Sequence, residues 1–275
     1  MRTPKPRGSP ITSRRMTGWV SDFGTFRYAV TEPRIDRWVR QFRSSDRDLA
    51  ARILDCVEFV PNNQISAIYR TALQSLEGWH ATASERKGKW RFAPFSTSAG
   101  ESGDAMLGQF RHANNLKSKS HNSIFVHKSE LLTSELGIGD TIVFVDDFSG
   151  TGTQVVDAWP EMSEYLPEGP DVHLILAAAT ETAIVKIEQE TSLLVSTGIT
   201  LGEGDSVFSD SCTQFNSAEK STLRRYCDRI VPTSAAAYAQ DGYLIVFQHS
   251  CPNNTLPILH AMKSGWEGLF RRYDP

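Results

Sequence analysis

The spacing of apolar positions along the chain changes near residue 90. Before that point, apolar residues recur every three or four positions, as they do on one face of a helix. Residues 32–60 show this spacing twice, with Ser45 or Asp46 as a capping residue between the two stretches, and a further stretch begins at Pro61. The pattern therefore predicts an α-helical N-terminal layer that packs through its apolar faces.

Short apolar runs follow this layer, and the run at 141–145 is strongly β-branched. These runs predict strands at 90–95, 124–127, 141–145, 172–178, 193–200 and 243–247, with helical stretches at 104–117, 152–164 and 181–190. Strands that alternate with helices indicate a mostly parallel sheet covered by helices on both faces. The predicted fold class is therefore α/β.

The same patterns divide the chain into a tail and one domain. Residues 1–18 are basic, lack acids and contain three prolines. They are either a disordered tail or a basic arm that contacts a nucleic acid or an acidic partner. The predicted domain, 19–275, consists of the helical layer at 19–88, an α/β core at 89–250 and a C-terminal lid at 251–275.

Composition excludes several classes of protein. The net charge of -3 argues against wholesale nucleic-acid binding, and 40% hydrophobic residues suffice for a sizeable core. The four cysteines form no C-x-x-C pair, and the histidines lack metal-ligand spacing, so no zinc site is predicted. No apolar run approaches the roughly 20 residues of a membrane span, and no signal-peptide pattern is present. We expect a cytoplasmic protein without a membrane partner.

The chemically informative segment is 142–154. An apolar strand leads into two adjacent acids, Asp146 and Asp147, at the strand end where ligands bind in open α/β sheets. Gly150 and Gly152 let backbone N–H groups approach an anion, and the following helix start adds further donors. These features predict a phosphate-binding loop formed by Phe148, Ser149, Gly150, Thr151, Gly152 and Thr153.

The acids and the loop together suit a sugar phosphate. Adjacent carboxylates accept hydrogen bonds from ribose hydroxyls and help to hold Mg²⁺, which prefers oxygen ligands. A Walker A loop would require a lysine that is missing here, and Val155 stands where a Rossmann motif has its third glycine. The remaining alternative is a buried strand that ends in a polar turn. In the sugar-phosphate interpretation, a side chain at Gly152 would intrude on the anion.

Segment 142–154 resembles the motif with which type I phosphoribosyltransferases bind 5-phosphoribosyl 1-diphosphate (PRPP). In that family, two acids bind the ribose hydroxyls and a small-residue loop binds the 5-phosphate. The resemblance implies that Asp146 and Asp147 form the catalytic ribose-binding pair and that 148–153 binds the phosphate. It also implies Mg²⁺ as a cofactor, held directly or indirectly by the two acids.

A second resemblance extends over residues 30–272. The C-terminal runs are similar to those of the PRTase-like family of bacterial conflict systems, whose members occur beside retron reverse transcriptases and other anti-phage modules. His260 stands where that pattern commonly has a tryptophan. The resemblance therefore implies the fold but does not identify the residues that contact the base. The resemblance implies a type I phosphoribosyltransferase-like fold. The runs that carry it are 252–259, 265–266 and 269–272.

Weaker candidates lie in two other places. The small residues of 96–103 suit pyrophosphate binding or form an ordinary loop, and Glu101 and Asp104 would partly oppose an anion unless a metal intervenes. A lysine-containing loop follows near residue 117 and is either a polyphosphate contact or a solvated loop. The pyrophosphate candidates are Ser96, Thr97, Ser98 and Lys117.

The C-terminal candidates follow the last predicted strand. Asn253, Asn254 and Thr255 either contact a nucleobase or pyrophosphate, or form a turn before Pro257. Trp266 belongs either to a packed lid or to a stacking surface.

Two functions fit these features. In the first, the chain is a phosphoribosyltransferase-type effector that acts on PRPP or a nucleotide with Mg²⁺. In the second, the same site binds a nucleotide without chemistry, and the chain is a sensor or scaffold on a reverse transcriptase–RNA/DNA complex. The intact acid pair favours the first, and the short pyrophosphate loop without a basic residue favours the second.

Overall fold

The computed structural model describes residues 11–96, 102–231 and 242–272. The chain forms two compact units, Met1–Asn62 with Glu203–Pro275, and Asn63–Gly202. In chain order, the described residues form α1 (Ser13–Phe23), α2 (Glu32–Arg40), α3 (Arg47–Cys56), β1 (Glu58–Val60), α4 (Asn62–Ser75), β2 (Trp90–Pro94), α5 (Ser102–Ala113), β3 (Thr141–Ser149), α6 (Thr153–Ser163), β4 (Asp171–Thr180), α7 (Glu181–Glu190), β5 (Leu194–Leu201), α8 (Ser217–Ile230), β6 (Ile245–Phe247) and α9 (Pro257–His260), with short 3-10 turns between them.

The second unit contains the central sheet. Its strands are parallel and lie in the order β2-β3-β4-β5. On one face, Ile142 and Phe144 of β3 belong to a buried cluster with Val155 of α6 and Ile187 of α7. On the other face, Phe92 of β2 packs against α5, and α5 contacts α4. The α/β class, with a parallel sheet flanked by helices, is thus confirmed.

The first unit joins segments from both ends of the chain. β1 and β6 form a two-stranded parallel sheet in which Phe59 pairs with Val246. Buried residues of α1, α2, α3, α8 and the C-terminal segment form its core. The two units thus divide the chain differently from the predicted layer, core and lid, because β6 pairs with β1 rather than extending the central sheet.

Several predicted elements need correction. Residues 13–18, predicted as part of the tail, lie in α1, because Thr12 caps this helix and both Arg15 and Trp19 donate to the buried carboxylate of Asp55. The predicted strand 124–127 is wrong. Phe125 makes only an isolated bridge to β2, and the preceding residues form a 3-10 turn.

Other differences arise where the local pattern was weak. β1 lies within a range predicted as helical, and α8 lies in a range where no helix was predicted. A capping box formed by Asn216 and Glu219 starts α8, so a local signal for this helix was present in the sequence. Neither Ser45 nor Asp46 forms a side-chain cap on α3, which follows directly on a 3-10 turn. Within the described residues, no helix is long and apolar enough to cross a membrane.

Candidate active site

The acid pair lies within the carboxyl-terminal part of β3. This strand continues to Ser149, beyond the predicted end at residue 145, because Phe148 and Ser149 pair with Ala178 and Ala179 of β4. Asp146 and Asp147 are half-buried there, whereas the five residues before them are buried. The acids therefore stand where the strand leaves the core of the second unit.

Three contacts fix the position of Asp146. Its Oδ1 atom accepts hydrogen bonds from the Ser102 hydroxyl at 2.7 Å and from the backbone N–H of Asp147 at 2.9 Å. Its main-chain oxygen accepts a bond from the Tyr69 hydroxyl at 2.9 Å. Since Ser102 begins α5, the N-terminus of this helix lies at the acid pair.

Tyr69 is a buried hydrogen-bond donor to the backbone of the acid pair. Its side chain is fully buried. Burial, followed by the charges of Asp147 and Asp146, raises the pKa of its hydroxyl well above the usual value. The hydroxyl therefore stays protonated and keeps its hydrogen bond to the backbone of Asp146.

The loop after β3 leads directly into α6. Gly152 precedes this helix in the left-handed conformation, with φ of 72°, and the Thr153 N–H donates to the Thr151 hydroxyl at 3.3 Å. A Cβ atom at Gly152 would lie 3.0 Å from the Ala183 carbonyl oxygen and 3.3 Å from Lys186 Cβ. A side chain at Gly152 would therefore clash with α7, because the start of α6 packs closely on that helix.

Two residues that sequence reasoning missed hold the loop against α7. Thr180, only 1% exposed, donates from its hydroxyl to the Gly150 carbonyl at 2.5 Å and accepts from the Ala183 N–H at 2.9 Å. The Lys186 ammonium donates to the Thr153 hydroxyl at 2.9 Å. α7 therefore brings a full positive charge to the N-terminus of α6, where backbone N–H groups already favour an anion.

A weak signal for Lys186 was present in the sequence. Consecutive parallel strands are commonly neighbours, and right-handed connections then place the helices that follow them on the same face of the sheet. Ala183 and Lys186 are three residues apart and share a face of α7. The close approach of Gly152 to Ala183 turns this face towards the loop.

One comparison with known proteins decides the family. A family model described as PRTase-CE matches residues 35–272, which include most of both units. This chain belongs to the PRTase-CE family. The type I phosphoribosyltransferase-like domain implied by the sequence motifs is thereby confirmed. A search of curated proteins found no match.

The PRTase-CE match does not assign roles to the pyrophosphate candidates. Ser96 is buried just after β2, while Thr97 and Ser98 lie outside the described residues. A Cβ atom at Gly103 would lie 2.6 Å from the Phe95 carbonyl oxygen, so the first turn of α5 sits directly on the chain that leaves β2. Lys117 is exposed in the turn after α5.

The base or lid candidates belong to the first unit. Asn253 is exposed, whereas Asn254 and Thr255 are buried, and the Thr255 hydroxyl donates to the Ile245 carbonyl at 2.7 Å. Trp266 is 4% exposed and donates from its indole N–H to the Ile258 carbonyl at 2.9 Å. Within this unit, the side chains of Thr255 and Trp266 are therefore buried and hydrogen-bonded to backbone carbonyl oxygens.

Proposed function

We propose that this chain is a phosphoribosyltransferase-type enzyme that acts on PRPP or a nucleotide in the presence of Mg²⁺. The observation that carries the proposal is that the acid pair of β3 leads into a glycine-containing loop whose helix start is contacted by Lys186. Membership of the PRTase-CE family supports the same reaction class. The proposed setting is the cytoplasm of a bacterium, where the enzyme acts as an anti-phage effector that modifies or depletes nucleotides.

In this proposal the 5-phosphate binds to loop 148–153. The backbone N–H groups at the start of α6 and the hydroxyls of the loop donate to its oxygens. Lys186 adds a full charge that the loop itself lacks. Asp146 and Asp147 accept hydrogen bonds from the ribose hydroxyls, with the Tyr69 contact keeping the Asp146 backbone in place.

The chemistry proposed at C1 of the ribose is a group transfer. The bond from C1 to the leaving group breaks, and its electron pair departs with pyrophosphate or a base, while an acceptor nucleophile forms the new bond to C1. The transition state carries positive charge on the ribose, which the carboxylates of Asp146 and Asp147 stabilise. The protein's contribution is positioning and charge stabilisation rather than covalent catalysis.

The residues present fit Mg²⁺ as an ion shared with substrate. Mg²⁺ commonly binds through one or two carboxylates, several waters and substrate phosphates, and β3 offers two adjacent half-buried carboxylates. Within the described residues, no group of three or more His, Cys, Asp or Glu side chains could hold a metal ion. When bound, the ion would neutralise charge on a departing pyrophosphate.

The direct test is turnover. The full chain is incubated with Mg²⁺ and PRPP, or with a mixture of nucleotides, and products are identified by mass spectrometry. Release of pyrophosphate or of a free base supports the proposal when the variant Asp146→Asn/Asp147→Asn releases neither. An unchanged pool with wild-type protein would overturn it.

A second candidate function is nucleotide binding without chemistry. In it, the chain is a sensor or scaffold on a reverse transcriptase–RNA/DNA complex. Two observations favour it: segment 96–103 contains no lysine or arginine, and the Ser102 hydroxyl already engages one oxygen of Asp146. Thermal stabilisation by PRPP without turnover, together with co-purification of a reverse transcriptase, would favour this candidate over the enzyme.

A further inference from the structure

A second cluster of cationic side chains lies in the first unit. Arg34, Arg37, Trp38 and Gln41 recur at the spacing of one helical face along α2 and its C-terminal cap, and hydrogen bonds link this face to the C-terminal segment. We call the pocket between them the arginine pocket. The residues that define it are Arg34, Arg37, Trp38, Glu267, Gly268, Leu269 and Arg271.

Hydrogen bonds fix both ends of the arginine pocket. At one end, Gln41 forms two bonds with the backbone of Glu267, at 2.9 and 2.7 Å. A Cβ atom at Gly268 would lie 2.5 Å from the His260 carbonyl carbon, so the C-terminal segment packs closely against the backbone of His260. At the other end, the Arg34 guanidinium donates to three backbone carbonyl oxygens, those of Tyr28, Ala29 and Leu269, at 2.6, 2.7 and 2.8 Å.

The charges of the arginine pocket are unbalanced. Three guanidinium groups line it together with one carboxylate, that of Glu267, whose Oε2 atom lies 3.7 Å from an Arg271 nitrogen. Two positive charges are therefore in excess within the pocket, although the whole chain has a net charge of -3. Burial lowers the pKa of Arg34, and the charges of Arg271 and Arg37 lower it further.

Two of the guanidinium groups have donors to spare. The Arg271 Nε atom is buried and, among the described residues, has no hydrogen-bond partner. Arg37 is exposed at the pocket. The third group, Arg34, is held by three backbone oxygens and contributes mainly its charge. The Arg271 side chain as a whole is 24% exposed, so its terminal nitrogens can donate to an oxyanion in the pocket.

We propose that the arginine pocket binds a phosphate group of a small molecule, with Arg37 and Arg271 as its donors. A phosphate monoester carries close to two negative charges at neutral pH, which matches the excess of two positive charges. Guanidinium forks also match the geometry of phosphate oxygens. The proposal concerns the first unit alone and does not depend on the role of loop 148–153 in the second. Free phosphate and the phosphate of a nucleotide share this chemistry.

The test follows the arginine N–H groups directly. The ¹⁵N-labelled full chain is titrated with sodium phosphate, and separately with AMP, at constant ionic strength, while the side-chain Nε–H signals of Arg37 and Arg271 are recorded. Both signals should shift and saturate. In Arg37→Ala, the dissociation constant read from Arg271 should rise roughly tenfold, as expected for one lost charge-assisted hydrogen bond.

Matched variants separate this site from general charge effects. Arg40→Ala removes the same charge from the same helix, where the side chain is 68% exposed and paired with Asp36, and should leave the titration unchanged. Lys186→Met, in the second unit, should also leave it unchanged. An equal loss in Arg40→Ala, a loss in Lys186→Met, or the absence of a saturable shift in wild type would each overturn the proposal. Tighter binding of AMP than of phosphate identifies a nucleotide as the source, and equal binding identifies free phosphate.

Discussion

Loop 148–153 and the arginine pocket offer an anion different kinds of donor. In the second unit, a glycine turn and the N-terminus of α6 present backbone N–H groups, with Lys186 as a single cation. In the first unit, three guanidinium groups supply the charge, and backbone carbonyl oxygens hold one of them in place. Backbone donors depend on the local fold of one short segment, whereas the guanidinium groups depend on two segments far apart in the chain.

This difference decides which of the two was visible in the sequence. The loop and its acids form one contiguous run, in which the glycines, the hydroxyl residues and the end of a strand can be recognised together. Arg34 and Arg271 are separated by most of the chain. In the sequence, each of them taken alone is interpreted as an arginine that faces solvent. The pocket appears only when α2 and the C-terminal segment pack together.

The largest effect is expected at the acid pair. Asp146→Asn/Asp147→Asn should lower turnover of PRPP or nucleotide by roughly 10²–10³-fold, because the charges that stabilise the transition state are lost. An asparagine oxygen still accepts the Ser102 and backbone hydrogen bonds at position 146, so the midpoint of thermal unfolding should stay near that of wild type. Steady-state kinetics with parallel thermal melts check both statements. Undiminished turnover would remove the acids from the mechanism.

A large effect on stability is expected at Gly152. Gly152→Val places a side chain where φ is 72°, at a strain of roughly 1–2 kcal/mol. It also pushes a Cβ atom to 3.0 Å from the Ala183 carbonyl oxygen, so the free energy of unfolding should fall by more than the strain alone. Urea unfolding measures this, with Gly108→Val as control because open space surrounds a Cβ atom there. Equal losses in the two variants would contradict the close packing of α6 on α7.

Local patterns predicted much of the second unit. The bounds of α7 match the prediction, and β2, β3, β4 and β5 fall where short apolar runs indicated strands. The site at the end of β3 was predicted because sheet geometry places ligands at carboxyl ends of strands. The contributions of Thr180 and Lys186 required the packing of α6 on α7, which no single segment encodes.

The first unit was less predictable for the same reason. Its small sheet joins Phe59 to Val246, and strands of three residues give little periodicity. The segment at 58–60 follows a helix without a turn signal, so the helical pattern before it was extended too far. Long-range pairing, rather than local preference, determines where these strands form.

A smaller effect is expected when the cation at the loop is removed. Lys186→Met should weaken binding of ribose 5-phosphate roughly tenfold, since hydrogen bonds from charged groups contribute about 1.5–3 kcal/mol. Binding of ribose without the phosphate should not change. Isothermal titration checks both ligands, with Lys186→Arg as a partial rescue. Lys87→Met is the control, since it removes an exposed lysine of the same unit that pairs with Glu77. Equal weakening by both methionine variants would show that Lys186 acts only through general charge.

The smallest effect concerns the acid sensitivity of the first unit. Burial and the charge of Arg272 lower the pKa of His260 from 6.5 to about 4, while its Nε2 atom lies 3.1 Å from the Thr255 carbonyl oxygen. Because the folded pKa lies below the unfolded one, the unfolded chain binds the proton more readily, and the free energy of unfolding should fall as pH drops from 6.5 towards 4. A single titrating group changes the free energy of unfolding by at most about 1.4 kcal/mol per pH unit over this range. Urea unfolding at several pH values measures this, and His260→Gln, which keeps a donor for Thr255 but does not titrate, should remove that part of the pH dependence. The same slope in His260→Gln and wild type would assign the acid sensitivity to other groups.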